Sequence, residues 1–536
     1  MGADRQQEVY TSLAKMAKIW SDAGIKDAVL SPGSRSAPLA LTILRSNDFN
    51  CYHIVDERSA AYFALGLTKR SQQPTILICT SGSALANYYP AVTEAYFQHL
   101  PLLILSADRP AEWIDQNDNQ AIFQQGIFGK HVLYFGQMPD SYELEAVKNM
   151  GLAQAISAVK TSMGLRNGPV HLNFPFREPF YFEEKIKLDD QNNQWKWGSS
   201  PKIATDSLAI ENLISTINKS QQVWILGGMT NYPIGLQFVI ALAEKVNAHL
   251  YFDPLLNVLD NSKGRLRTVK ELSQLESPDL VLSFGQQFLS KEIKTLLRGL
   301  EIPNHVHLQP FESLNDPFQS IDQLLLGSVD EAVSQLLNGV ELKPHKPAGF
   351  SKESEDRISE DVELSLAEKL LSSLPHGCDL HVGNSTPVRY ALYFDAILKE
   401  KKVRLYANRG VSGIDGSISM AIGMSQDEER PQILLLGDLS AYYDRNGLWN
   451  NYLPTGFKII VMNNAGGGIF KRIKGAKDQA ELESYFVNEQ PTDFQALAGS
   501  HGFGFNKVDA ASWNESQIDA FFSSKERELL EVVVTD

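Results

Sequence analysis

The chain has 536 residues, too many to fold around a single hydrophobic core, so we expect about three domains. Its formal net charge of −15 argues against a nucleic-acid partner, because phosphate binding needs a basic surface. The three cysteines, Cys51, Cys79 and Cys378, form no CxxC motif, which argues against disulfides and structural zinc and favours a cytoplasmic location. The sequence also contains no apolar signal core at its N-terminus and no run of about 18 apolar residues that would span a membrane.

Strand and helix signals alternate through roughly the first 180 residues. The predicted strands are 28–30, 52–55, 75–79 and 102–105, and the predicted helices are 36–45 and 58–68. Apolar strands that alternate with helices predict a parallel sheet covered on both faces.

Two further segments show the same alternation. Between the three segments lie polar stretches at 189–202 and 342–355, which lack periodicity and are interpreted as linkers. We therefore predict an α/β protein of three doubly wound parallel-sheet domains, at residues 1–185, 200–340 and 356–536.

Two apolar runs in the third segment end in polar residues. The run ILLL ends in Gly437-Asp438, and the run IIVM ends in Asn463-Asn464, followed by AGGG. Ligands bind at the carboxyl ends of parallel strands, and carboxylate, amide and backbone oxygens suit Mg²⁺ that also holds phosphate. Glycines let the backbone approach a diphosphate. Both dipeptides are also common in ordinary turns, so these residues alone leave the two interpretations open.

The spacing from Asp438 to Asn464 resembles the diphosphate-binding motif of thiamine diphosphate (ThDP) enzymes. Longer motifs narrow the resemblance to one family. In the first segment they are SPGSRSAPLALTI, DERSAAYFALGLTKRSQQPTILICTSGSALANYYPAVTEA, ADRP and NQAI, and in the third VGNSTPVR, NRGVSGIDG, GDLSAYYD and NNAGGGIF. These motifs resemble, in the same order, the 2-succinyl-5-enolpyruvyl-6-hydroxy-3-cyclohexene-1-carboxylate synthases of menaquinone biosynthesis.

The resemblance implies a reaction, cofactors and an assembly. Such an enzyme decarboxylates 2-oxoglutarate and joins the remaining four-carbon unit to isochorismate by 1,4-addition, with ThDP and Mg²⁺ or Mn²⁺ as cofactors. The three segments become a pyrimidine-binding (1–185), a central (200–340) and a diphosphate-binding (356–536) domain. The resemblance further implies a homodimer or homotetramer whose active sites lie between subunits.

The resemblance also implies roles for single residues at the cofactor. Glu57 would be the catalytic carboxylate that hydrogen-bonds the aminopyrimidine ring, although an acid at a helix start is also favoured by the helix dipole alone. Asp438, Asn464 and the backbone carbonyl of Gly466 would hold the metal. The other candidate cofactor contacts are Ser412, Gly413, Ile414, Gly437, Leu439, Ser440, Gly467, Ile469 and Phe470.

Both implied substrates are dianions, so an acidic protein must concentrate positive charge in one cleft. Arginine suits carboxylates because of its fixed fork of donors, although any one arginine could instead form a surface ion pair. We assign the 2-oxoglutarate carboxylate to Ser385 and Arg389. The complete set of candidate substrate contacts is Ser34, Arg35, Arg109, Asn119, Gln120, Lys291, Ser385, Arg389 and Arg409, of which Arg35, Arg109, Gln120 and Arg409 are assigned to isochorismate.

Two alternatives remain open on the sequence alone. One is another ThDP-dependent carboligase or decarboxylase, such as an acetohydroxyacid synthase, which could carry FAD in its central domain and would show a flavin spectrum. The other is a non-catalytic nucleotide-binding or scaffolding protein, which would bind no ThDP with Mg²⁺ in calorimetry.

Overall fold

A computed structural model describes residues 2–178, 180–181, 197, 203–232, 234–258, 266–344 and 361–534. Apart from Trp197 and residues 342–344, the predicted linkers lie outside the described residues. The described residues form three sheets in which every pair of neighbouring strands is parallel, and this confirms the predicted fold class. None of the described helices combines the length and apolarity that crossing a lipid bilayer would take.

The first sheet has six strands in the order β2-β1-β3-β4-β6-β5. Its elements are α1 (Gly2–Asp22), β1 (Asp27–Leu30), α2 (Ala37–Ser46), β2 (Asn50–His53), α3 (Glu57–Ser71), β3 (Thr75–Cys79), α4 (Ser83–Asn87), α5 (Tyr89–Gln98), β4 (Leu102–Asp108), β5 (Tyr134–Gln137), α6 (Glu145–Ser162) and β6 (Val170–Pro175). The inner strands β1, β3, β4 and β6 are buried along their whole length, as the apolar runs predict.

Two predicted strands in this domain have wrong boundaries. The strand predicted at 52–55 is β2, which begins and ends two residues earlier, because it pairs with β1 from Asp27, opposite Asn50, to Leu30, opposite His53. The strand predicted to end at Leu105 continues to Asp108, because β4 pairs with β6 as far as Pro175. Asp108 therefore belongs to the strand and not to the loop that follows it.

The central sheet has five strands in the order β11-β10-β9-β7-β8. Its elements are α7 (Ser207–Lys219), β7 (Val223–Gly227), α8 (Leu236–Val246), β8 (His249–Phe252), α9 (Val269–Leu272), β9 (Leu280–Phe284), α10 (Lys291–Arg298), β10 (His305–Gln309), β11 (Gln323–Leu326) and α11 (Val329–Gly339).

The third sheet, ordered β13-β12-β14-β15-β17-β16, repeats the strand order of the first. Its elements are α12 (Val362–Ser373), β12 (Asp379–Val382), α13 (Thr386–Tyr393), α14 (Asp395–Glu400), β13 (Arg404–Tyr406), α15 (Ser417–Met424), β14 (Gln432–Gly437), α16 (Asp438–Tyr443), β15 (Lys458–Asn463), α17 (Phe494–Ser500), β16 (Gly504–Val508), α18 (Glu515–Ser523) and β17 (Glu528–Val533). The strand order reverses between β1 and β3 in the first sheet and between β12 and β14 in the third. This reversal opens a crevice at the carboxyl edge where ligands bind in such folds.

Helices α3 and α15 join the first domain to the third. A Cβ atom on Gly66 would lie 2.3 Å from the carbonyl oxygen of Met420, and one on Gly423 would lie 2.2 Å from the carbonyl oxygen of Phe63. Both distances are far below van der Waals contact, so the two backbones touch at a point where only glycine fits. One hydrophobic core accordingly runs through both domains, from α3 and β3 to α15 and β14.

This contact gives a testable prediction. We expect Gly423→Ala to lower the free energy of unfolding by about 1–3 kcal/mol, because the new methyl group forces α3 and α15 apart. Urea denaturation would measure it. Gly499→Ala is the matched control, since Gly499 also lies in a helix and a Cβ there meets nothing within 4 Å. That variant should be neutral or slightly stabilising, and equal stability of the two variants would contradict the contact.

Candidate active site

The carboxyl edge of the third sheet carries the predicted metal ligands on two neighbouring strands, β14 and β15. Asp438 follows β14 directly as the first residue of α16 and is 2% exposed. Burial raises the pKa of its carboxyl group to about 6, although the backbone N–H groups of Leu439 and Gly466 donate to it. Its Oδ2 atom is buried and has no hydrogen-bond partner among the described residues.

Asn464 follows β15 and presents a second oxygen of the same kind. Its Oδ1 atom is buried and also lacks a partner among the described residues, while its Nδ2 atom donates to Glu363 at 3.4 Å. A Cβ on Gly468 would lie 2.2 Å from that Nδ2 atom, so a side chain at this position would displace the Asn464 amide. The third predicted ligand, the Gly466 carbonyl, accepts one hydrogen bond, from the Gly468 N–H at 2.9 Å, and keeps a second lone pair.

These residues fit a divalent metal that holds a diphosphate. Buried oxygens are almost always hydrogen-bonded, so two unpaired ones at the ends of adjacent strands fit a bound cation. One carboxylate, one amide and one carbonyl oxygen suit Mg²⁺. The described residues contain no group of three or more His, Cys, Asp or Glu side chains placed to hold a metal ion by themselves. Beside them, a Cβ on Gly437 would meet nothing within 4 Å, which leaves open space at the strand end.

The remaining predicted cofactor residues of this domain surround the same strand ends. Leu439 and Ser440 form the first turn of α16, and Gly467 donates its N–H to the Val487 carbonyl at 2.7 Å. Half-buried Ile469 and Phe470 lie in a 3₁₀ turn directly after the glycines.

Sequence reasoning missed an acidic neighbour of the metal ligands. Glu363, near the start of α12, is 7% exposed and forms an ion pair with Arg472 at 2.8 Å. Arg472 also pairs with Asp361 at 2.9 Å. The negative charge of Glu363 adds to the burial that raises the Asp438 pKa. In the sequence this residue is indistinguishable from any acid that favours a helix start.

Glu57 is the first residue of α3, at the carboxyl edge of the first sheet. Asp56 caps the helix by accepting the Ser59 N–H at 3.1 Å, so Glu57 is not needed as a cap. Its side chain is half-buried, and burial raises the pKa of its carboxyl group. Its negative charge adds to the burial that raises the pKa values of Cys79 and Tyr88, which indicates that Glu57 lies close to the end of β3.

The loop 408–416 carries the next group of predicted residues. Buried Asn384 donates from Nδ2 to the carbonyls of Asn408 at 2.8 Å and Gly413 at 2.6 Å. Its Oδ1 atom accepts from Arg409 Nη1 at 2.8 Å. Ser412 has a left-handed backbone with φ 62°, and Ile414 is half-buried. Asn384 is thus a second residue that the motif reading did not single out, although it lies within the VGNSTPVR motif.

Three cations converge beside this loop. Burial, and then the positive charge of Arg389, lower the pKa of Arg409. Burial, and then the positive charge of Arg409, lower the pKa of Lys294. The guanidinium of exposed Arg389 donates to the carbonyl of Ser385, one helical turn earlier. The predicted lysine, Lys291, is exposed at the first position of α10, whereas Lys294 is half-buried and close to the arginines.

The predicted substrate residues of the first domain form a separate group. Arg35 is buried, donates to the Phe176 carbonyl at 2.6 Å and packs over the Phe180 ring. Arg109 is 9% exposed and pairs with Asp118 at 2.8 Å. Its guanidinium also donates to the carbonyl of Asn119. The exposed members of the group are Ser34, Asn119 and Gln120.

Two protein-family models match the chain, one in the first domain and one in the third. Residues 12–128 match the family model "Thiamine pyrophosphate enzyme, N-terminal TPP binding domain". Residues 389–532 match "Thiamine pyrophosphate enzyme, C-terminal TPP binding domain". The two matches include Glu57 and the Asp438–Asn464 pair, respectively.

Two solved structures share the fold. A thiamine diphosphate-dependent 4-hydroxybenzoylformate decarboxylase from Rhodococcus jostii superimposes with a TM-score of 0.72 at 18% identity, over 98% of this chain and 99% of that one. A benzoylformate decarboxylase from Polynucleobacter necessarius gives 0.71 at 16% identity, over 100% and 99%.

Several curated relatives are similar along almost the whole chain, and each is named 2-succinyl-5-enolpyruvyl-6-hydroxy-3-cyclohexene-1-carboxylate synthase. The protein from Cytophaga hutchinsonii is 35% identical over 93% of this chain and 91% of its own length. The proteins from Flavobacterium johnsoniae and Bacillus pumilus are each 31% identical, over 97% and 94% of this chain and 95% and 90% of their own lengths. The chain therefore belongs to the 2-succinyl-5-enolpyruvyl-6-hydroxy-3-cyclohexene-1-carboxylate synthase family of ThDP-dependent enzymes.

Proposed function

We propose that this enzyme decarboxylates 2-oxoglutarate and adds the remaining four-carbon unit to isochorismate, with release of CO₂. The observation that carries the proposal is the cluster of Arg389, Arg409 and Lys294 in a protein of net charge −15. A bound anion stabilises like charges that lie close together, and both substrates are dianions. The names of the curated relatives support the same reaction.

The proposed cofactor site uses both outer domains, at 1–185 and 356–536. Asp438, Asn464 and the Gly466 carbonyl would hold Mg²⁺ or Mn²⁺ and, through it, the diphosphate of ThDP. Bound there, ThDP supplies a thiazolium carbon that accepts the electron pair released by decarboxylation. Glu57, whose pKa is raised by burial, would hydrogen-bond the aminopyrimidine ring through its carboxyl group and exchange a proton with it.

We propose separate binding positions for the two substrates. Arg389 and Ser385, on one turn of α13, would bind the distal carboxylate of 2-oxoglutarate. The residues that would bind the carboxylates of isochorismate are Arg35, Arg109, Gln120 and Arg409. We add Lys294, rather than Lys291, to these isochorismate residues, because Lys294 is half-buried next to Arg409.

The proposed active unit is a homodimer, or a homotetramer made of two dimers, in the cytoplasm. Glu57 and Asp438 lie on separate sheets, and the two outer domains expose the large side chains of Val55, Tyr443 and Trp449. A second subunit would cover these apolar side chains and complete each cofactor site with its other half.

Substrate kinetics test the reaction. We expect turnover with 2-oxoglutarate and isochorismate, and weak use of pyruvate, which has no distal carboxylate. Arg389→Ala should raise the KM for 2-oxoglutarate about 10- to 150-fold, the value of a charge-assisted contact, whereas Arg109→Ala should raise the KM for isochorismate. If Arg389→Ala impairs only isochorismate use, the assignments are reversed. Equal use of pyruvate without isochorismate would favour an acetohydroxyacid-type enzyme.

Calorimetry with ThDP and Mg²⁺ tests the metal ligands. Asp438→Ala should abolish metal-dependent ThDP binding, because it removes the carboxylate oxygen that finds no hydrogen-bond partner among the described residues. Asp509→Ala is the matched control, since Asp509 follows β16 on the same sheet but already accepts the backbone N–H groups of Ala511 and Ser512. Unchanged ThDP affinity in Asp438→Ala would falsify the assignment.

Steady-state turnover tests Glu57. We expect Glu57→Gln to bind ThDP with Mg²⁺ but to lose about 10²- to 10⁴-fold in kcat, because an amide cannot hold the proton. Glu515→Gln is the control, since Glu515 is also the first residue of a capped helix, α18. Near-normal turnover in Glu57→Gln would reduce this residue to a favourable charge at a helix start.

A further inference from the structure

A buried carboxylate of the first domain holds a loop of the third domain. Glu94, on α5, is 1% exposed. Its Oε1 atom accepts the Gly410 N–H at 2.7 Å, and its Oε2 atom accepts the Val411 N–H at 2.7 Å. Oε1 also accepts from Gln98 Nε2 at 2.5 Å. A buried charge is tolerated only when such bonds replace its hydration, and these three bonds do so.

The approach of the loop to Glu94 is close. A Cβ on Gly410 would lie 2.6 Å from the Glu94 carbonyl oxygen and 3.0 Å from its carboxylate, so a larger residue at this position would push the loop away. A second bond joins the same two domains, from the Tyr62 hydroxyl to Asp415 Oδ2 at 2.5 Å. The loop 408–416 is therefore anchored to the first domain at two points.

The two anchored amides lie between a proposed substrate residue and the proposed cofactor residues of the loop. Arg409 directly precedes the two anchored amides, and Ser412, Gly413 and Ile414 directly follow them. The Arg409 guanidinium is held on its other side by Asn384, so its placement relative to the first domain depends on the backbone at Gly410. Charge-assisted bonds to two successive amides fix that backbone more firmly than neutral bonds would.

We propose that Glu94 is a positioning residue for isochorismate binding. It touches neither substrate nor cofactor, but it fixes the backbone at Gly410 and Val411 and thereby the placement of the adjacent Arg409. This inference rests on the proposed function, in which Arg409 binds isochorismate. A merely structural role would stabilise the domain contact without changing how either substrate is used.

The test is Glu94→Gln in the full-length enzyme with ThDP and Mg²⁺. The glutamine oxygen can still accept from Gln98 and Gly410, but its NH₂ group then faces the Val411 N–H and cannot accept from it. Hydrogen exchange should accelerate in peptides that contain Val411. The KM for isochorismate should rise about 10-fold or more, while the KM for 2-oxoglutarate stays within about twofold.

Asp279→Asn is the matched control. Asp279 Oδ2 also accepts two successive backbone N–H groups, from Gln221 at 2.6 Å and Gln222 at 2.9 Å, at the amino edge of the central sheet. The same carboxylate-to-amide change there should leave both KM values unchanged. If Glu94→Gln does not fold, Glu94→Asp keeps the charge, draws it back by one methylene and serves the same test.

The outcomes separate this inference from the proposed function. Faster exchange at Val411 with both KM values unchanged would overturn the positioning role and leave the reaction intact. Equal rises in both KM values would also overturn it, because they indicate general loosening. A wild-type enzyme that does not use isochorismate would remove the proposed function and, with it, this inference.

Discussion

The backbone contact between α3 and α15 is the constraint on which the proposed site depends. Gly66 and Gly423 let the two helices touch, and a single core runs from one domain into the other. Glu57 begins α3, and the loop 408–416 leads directly into α15. The helix contact thus sets the orientation of the first domain on the third, and the bonds from Glu94 and Tyr62 set the position of the loop between them.

Charge is distributed in this protein according to the ligands it is proposed to bind. The proposed metal ligands contribute two oxygens that find no partner among the described residues, and burial raises the pKa of Asp438. The pKa values of Arg409 and Lys294 shift in the opposite direction, since burial and then the positive charge of a neighbouring arginine lower them. A bound metal would lower the pKa of Asp438, and bound dianionic substrates would raise the pKa values of Arg409 and Lys294.

Residues next to strand ends could be predicted from the sequence, and residues that act through the tertiary structure could not. Asp438, Asn464 and Glu57 follow apolar runs, so their place at the ligand edge follows from the sheet alone. Lys294 was missed because Lys291 lies on the same helix, and only the packing of α10 decides which one faces Arg409. Glu363 and Glu94 were missed for a similar reason. Glu94 lies 316 positions before the Gly410 amide that it binds, and no local pattern encodes such a contact.

The central claim is that one cofactor lies between Glu57 of one subunit and Asp438 of another. Mixing inactive Glu57→Gln with inactive Asp438→Ala under conditions of subunit exchange tests it directly. Each mixed dimer would contain one site with both residues intact, so an equimolar mixture should recover about a quarter of the wild-type activity. No recovery, with exchange verified by mass spectrometry of differently labelled subunits, would contradict a shared site.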